Sequence, residues 1–82
     1  MTKEEFIALK PGMVIVAKKD ATKVERWRVN GQMQGSLKTG TARWPVKHGL
    51  YCYGYLMLDK NHTSVLRTNG YILTFDSMKV ET

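Results

Sequence analysis

Between Arg26 and Leu58 the chain contains no Asp and no Glu. The same stretch holds Arg26, Arg28, Lys38, Arg43 and Lys47, together with both tryptophans and three of the four tyrosines. The residues before it carry five basic and four acidic side chains, and those after it three of each, so the three parts contribute +1, +5 and 0 to the formal charge of +6. A local excess of that kind attracts a polyanion or an acidic protein surface. The plain alternative is a solvated basic face that only keeps a small protein soluble.

Other shortages narrow the reading further. Cys52 is the one cysteine, which excludes an internal disulfide framework and any zinc site built from several cysteines. His48 and His62 are the only histidines; both fall in expected loops or turns and give no metal-ligand spacing. No carboxylates are paired by local spacing, and Asp59 and Asp76 flank expected turns, where Asp is common anyway. Neither G-x-x-x-x-G-K-[ST] nor G-x-G-x-x-G occurs, so the glycines mark no phosphate cradle. No apolar run approaches the roughly 20 residues that span a bilayer. Lys3, Glu4 and Glu5 stand where a signal peptide needs an apolar segment, so a cytoplasmic location and no membrane partner are expected. Repeats and heptads are absent. Catalysis, metal and cofactor are therefore not expected.

With 82 residues, 43% of them hydrophobic, the chain is expected to fold as one domain spanning residues 1–82. A chain this short buries only roughly 60 to 65% of its unfolded surface, so modest stability is expected. Thr2-Lys3-Glu4-Glu5 reads as a capping box, with the Thr2 hydroxyl accepting from the Glu5 N–H and the Glu5 carboxylate reaching back. Phe6 and Leu9 then share one face of a short lid helix that Pro11 and Gly12 end.

Met13 to Ala17 is a brief β-branched run and reads as a central strand. Lys23 to Gln32 reads as a second, in which Trp27 and Val29 alternate with Arg26 and Arg28. Gly31 to Gly49 holds four glycines and one proline with little periodicity, and reads as a long functional or mobile loop. Arg43 to Val46 within it suits a short edge strand, with Pro45 at an unpaired position. Leu50 to Leu58 is the strongest strand: Leu50, Cys52, Gly54, Leu56 and Leu58 on one face, Tyr51, Tyr53, Tyr55 and Met57 on the other. Thr63 to Thr68, Asn69-Gly70 and Tyr71 to Phe75 make a hairpin with a type I′ turn. Ser77 to Val80 is a candidate closing strand.

Together these elements predict a mainly β fold, a small bent antiparallel sheet or an SH3-like or OB-like barrel with a short N-terminal helix. Leu9-Lys10-Pro11-Gly12-Met13-Val14-Ile15-Val16 resembles the entry to the first strand of many SH3-like barrels. The resemblance covers those eight residues only.

Three groups of residues are candidate contacts. Tyr51, Tyr53 and Tyr55 lie at i, i+2 and i+4, about 7 Å apart on a regular strand, where rings can stack on bases. Each ring could instead pack against a tight barrel with its hydroxyl outward. Arg26 and Arg28 flank Trp27; if Trp27 faces inward, both guanidiniums face outward as a fork for phosphates or carboxylates. Pairing with an acid such as Asp59 or Glu25 is the alternative. Lys38, Arg43 and Lys47, with Trp44 and His48, combine positive charge, glycine-rich backbone and an aromatic as nucleic-acid grooves do, though Trp44 could equally anchor the loop. Cys52, on the aliphatic face, reads as an inert thiol.

The expected function is non-catalytic nucleic-acid binding with low sequence specificity, through single strands or backbone tracking, since no recognition helix is expected. The contacts would be Arg26, Arg28, Lys38, Arg43, Trp44, Lys47, Tyr51, Tyr53 and Tyr55. The rival is a small protein that binds and modulates or inhibits another protein through its Arg and aromatic face, as in viruses or mobile elements. A third reading pairs open sheet edges in a homodimer.

Overall fold

The structure, a computed structural model, describes residues 1–20, 22–58 and 64–81. A five-residue helix, α1 (Lys3–Ile7), precedes seven strands: β1 (Val14–Lys18), β2 (Val24–Val29), β3 (Arg43–His48), β4 (Cys52–Leu58), β5 (Ser64–Thr68), β6 (Tyr71–Leu73) and β7 (Ser77–Val80). They form one antiparallel sheet in the order β6-β5-β4-β3-β2-β1-β7, curled into a half-barrel. The mainly β expectation holds. It holds in its form of a small bent antiparallel sheet: among the described residues, β6 and β7 end the sheet as separate edges. No helix among the described residues is long and apolar enough to cross a membrane.

The local signals at the two ends of the chain act as their chemistry requires. Thr2 accepts from the Glu5 N–H at 3.1 Å, and the Glu5 carboxylate accepts from the Thr2 N–H at 3.0 Å. Asn69 and Gly70 both have positive φ, 50° and 79°, as a type I′ turn demands. Thr63 of the expected hairpin lies outside the described residues, as do Asp59 and His62.

Alternation along the strands supplies the core. Ile15 and Ala17 of β1, Trp27 and Val29 of β2, Trp44 and Val46 of β3, Leu56 of β4, Leu66 of β5 and Met78 of β7 all face inward. Phe6 and Leu9 close this layer from the helical segment. Five residues make no stable helix in isolation, so α1 is held by its cap and by this packing. Cys52 sits half-buried at the core margin as a free thiol.

Two sequence expectations need correction. Arg43–His48 is the middle strand of seven, not an edge strand in a loop. Its proline is tolerated because β2 ends at Val29, just short of it. The Pro45 carbonyl still accepts from the Asn30 N–H at 2.7 Å, but beyond Asn30 no strand needs the donor that proline lacks. The connection is thus shortened to residues 30–42. It is cross-linked by a Gln34–Arg43 bridge and by Ser36, whose carbonyl accepts from the Thr41 and Ala42 amides. Second, Leu50 and Tyr51 belong to a turn and not to β4; Tyr51 is 90% exposed. The three-tyrosine ladder is therefore two tyrosines, Tyr53 and Tyr55, plus one at the turn.

Two carboxylates tie stability to acid pH. The Glu5 carboxyl is held below its ordinary range first by the Thr2 backbone N–H, and Asp20 first by the Thr22 hydroxyl. Groups depressed in the folded state contribute fully above their unfolded pKa and lose that contribution as pH falls through the folded value. Acid titration of wild type and Glu5→Gln should therefore show a stability difference near neutrality that vanishes below the ordinary carboxylate range. A difference that grows on acidification would contradict the capping geometry.

Candidate functional site

The residues that alternate with the core make the opposite face of the sheet. Register places Val14, Arg28, Lys47 and Tyr53 in one row across β1, β2, β3 and β4. Pro45, Tyr55, Arg67 and Ile72 form the next row across β3, β4, β5 and β6. Neighbouring strands lie about 5 Å apart, so each row is a continuous strip of side chains. The Lys47 ammonium lies 5.2 Å from the centre of the Tyr53 ring, and the Arg43 guanidinium 4.4 Å from that of Tyr55. Such contacts hold a cation and a ring together as one unit.

The electrostatics of this face are one-sided. Arg26 donates to Glu81 at 3.0 Å, an ion pair between exposed side chains. Of the two acids named from sequence as partners, Asp59 lies outside the described residues and Glu25 instead accepts from the Trp27 indole N–H at 3.3 Å. Arg28, Lys47 and Arg67 have no carboxylate partner among the described residues. Exposed ion pairs contribute little, so Arg26 remains available to a stronger anion.

Two adjoining hollows break the face. One, of about 390 Å³, is lined by Asn30, Pro45, Tyr53, Tyr55, Arg67 and the hairpin tip at Thr68–Gly70. The other, of about 470 Å³, is lined by Val14, Arg26, Arg28, Asn30, Lys47 and Glu81. Asn30 borders both. The second follows the seam where β2 and β3 are joined through only two residue pairs. Beyond that seam, a His48 ring nitrogen meets the Arg26 carbonyl at 2.9 Å. The hairpin tip that lines the first is packed closely on β4. Thr68 donates to the Tyr53 carbonyl, and a Cβ on Gly54 would stand only 2.5 Å from the Arg67 carbonyl oxygen. Glycine at 54 permits that approach.

The residues predicted from sequence divide into three sets. Arg26, Arg28, Lys47, Tyr53 and Tyr55 share this face, and Arg43 joins them at one end while its Nε donates to Gln34 at 3.2 Å. Lys38 and Tyr51 are exposed in connections, and neither lines either hollow. Trp44 does not belong. It is 4% exposed, its indole N–H donates to the Phe6 carbonyl at 2.9 Å, and its ring meets Phe6 edge-on at 6.4 Å. A ring so enclosed cannot stack on a ligand; it anchors the lid.

His48 likewise packs inward, stacked on Trp27 with ring centres 5.1 Å apart. Among the described residues, no three His, Cys, Asp or Glu side chains come together as metal ligands would. Comparison with known protein families, curated proteins and solved structures returned no match. The face must be interpreted from its own chemistry.

Sequence reasoning missed Arg67 and Asn30. Arg67 lies beyond the acid-free stretch, in a part of the chain with no net charge, and only the β4–β5 register brings it opposite Tyr55. Its alternation with Leu66 was the available signal. Asn30 gave none, because its place depends on where β2 stops.

Proposed function

We propose that this chain is a non-catalytic nucleic-acid-binding domain that seats a single strand along the outer face of its sheet. The observation that carries the reading is the pair of cross-strand rows. They set Arg28, Lys47 and Arg67 beside Tyr53 and Tyr55, with Glu81 at the margin as the paired carboxylate. Cations that lack protein partners are suited to phosphates, and exposed rings to bases. Affinity then comes mostly from charge, with low sequence specificity. The free Cys52 thiol suits a reducing compartment such as the cytoplasm.

Binding of a fluorescent single-stranded oligonucleotide, followed by anisotropy over a salt series, tests this reading. Each phosphate contact on a single strand contributes about −0.7 to the slope of log affinity against log salt, so a slope of about −2 to −4 is expected. No binding at low salt would overturn the reading.

One observation favours the rival, a protein that modulates another protein. Tyr71 and Ile72 are exposed on the edge strand β6, next to Arg67, as are Leu50 and Tyr51 on a turn. Aromatic and Arg clusters of this kind centre protein interfaces. Such an interface depends only weakly on salt, and the same titration separates the two.

A further inference from the structure

We infer that the two hollows joined at Asn30 form a one-nucleotide unit, in which the tyrosine hollow takes a nucleobase and the arginine hollow the adjoining phosphate. The inference rests on the nucleic-acid reading and adds to it a defined place for one base.

The division of chemistry between the hollows supports this. The first presents flat apolar surfaces, Pro45, Tyr53 and Tyr55, ringed by groups that donate or accept hydrogen bonds: Asn30, Thr68, Asn69 and the Gly70 backbone, with Arg67 as its one cation. A planar ring with a polar edge complements such a slot. An aliphatic chain would leave the polar rim unpaired, at a cost for each group desolvated without a partner. At about 390 Å³ the hollow lies near the small end of ligand-sized pockets, which run to about 1,000 Å³. That leaves room for one base with its sugar.

The second hollow gathers Arg26, Arg28 and Lys47 against the single carboxylate of Glu81. Arg28 and Lys47 are direct cross-strand neighbours, and Lys47 is in turn opposite Tyr53. The phosphate donors are thus one strand spacing, about 5 Å, from the ring that would carry the base. Asn30 stands between, and its amide can donate and accept at once. The slot is also built into the fold. The Thr68 hydroxyl bonded to the Tyr53 carbonyl, and the close approach of the Arg67 carbonyl to Gly54, fix the hairpin tip against β4.

The test compares a short single-stranded oligonucleotide with an abasic strand of the same length and phosphate number, using the full chain. Wild type is expected to bind the abasic strand more weakly by about 5-fold to 150-fold, the range of one base–ring stack, with an unchanged salt slope. Tyr53→Leu with Tyr55→Leu should remove that difference, so that the variant binds the two strands equally. Arg28→Gln should weaken both strands alike. Equal wild-type affinity for the two strands overturns the base slot while the charged-face reading survives. Failure of both strands to bind at low salt removes the reading and the inference together. A tyrosine variant that keeps the base-dependent difference also overturns the slot.

Discussion

Trp44→Ala is expected to cost about 3–5 kcal/mol of folding stability, the range for removing a large aromatic from a core. The ring is enclosed by the sheet and the lid, and its loss would remove the indole N–H from the Phe6 carbonyl, leaving it the long bond from the Leu9 N–H at 3.3 Å. A domain of this size has roughly 4–12 kcal/mol in total, so the variant should be largely unfolded or near its threshold. Urea denaturation provides the measurement. Trp44→Phe, which keeps much of the volume and loses the N–H, should cost less, and both variants should alter folding before binding. A Trp44→Ala protein with a wild-type denaturation midpoint and weakened oligonucleotide binding would show that the ring lies at the surface and does not anchor the lid.

The second large effect concerns charge. Changing Arg28, Lys47 and Arg67 together to Gln should lower affinity for a short single strand at least about tenfold at low salt. The salt slope should flatten by up to about two, near 0.7 for each phosphate that the variant no longer engages. Arg28 and Arg67 are exposed, Lys47 is half-buried over Tyr53, and none has a carboxylate partner among the described residues. Stability should therefore change by no more than about 0.5 kcal/mol per site. Lys38→Gln is the internal comparison. It removes the same charge from the 30–42 connection, away from both hollows, and should leave the slope nearly unchanged. Equal effects of Lys38→Gln and Arg28→Gln would mean that net charge, not the face, governs binding. A protein partner retained by wild type after nuclease treatment, with no oligonucleotide binding, would favour the modulator reading.

The geometry also shows why charge and shape are separable here. The cations lie on alternate positions of strands whose other positions are the core, so neutralising them leaves the packing in place. Trp44 occupies the inward position between Arg43 and Pro45, and removing it disturbs the scaffold on which the cations stand. Adjacent residues in the chain thus serve opposite sides of the sheet.

What could be read from the sequence was governed by short-range rules. The capping box at Thr2–Glu5, the Asn69-Gly70 turn and the alternation of Trp27 and Val29 with Arg26 and Arg28 each depend on a few neighbouring residues. Their chemistry determines them locally, and the structure agrees. Tertiary structure decided the rest. Whether β3 was central or peripheral depended on which strands found it, and a proline beside glycines gives the impression of a loop until β2 is seen to stop short of it. Trp44 next to Pro45 has no local preference for inside or outside; β3's register against β4, which sets Trp44 opposite buried Leu56, and the lid above it put it inside. Arg67 and Asn30 joined the candidate site because sheet curvature and strand ends brought distant segments together. The sequence alone determined the elements and the alternation that sorts each strand's side chains onto two faces. Their arrangement, and therefore the composition of the candidate site, came from long-range pairing that no local pattern encodes.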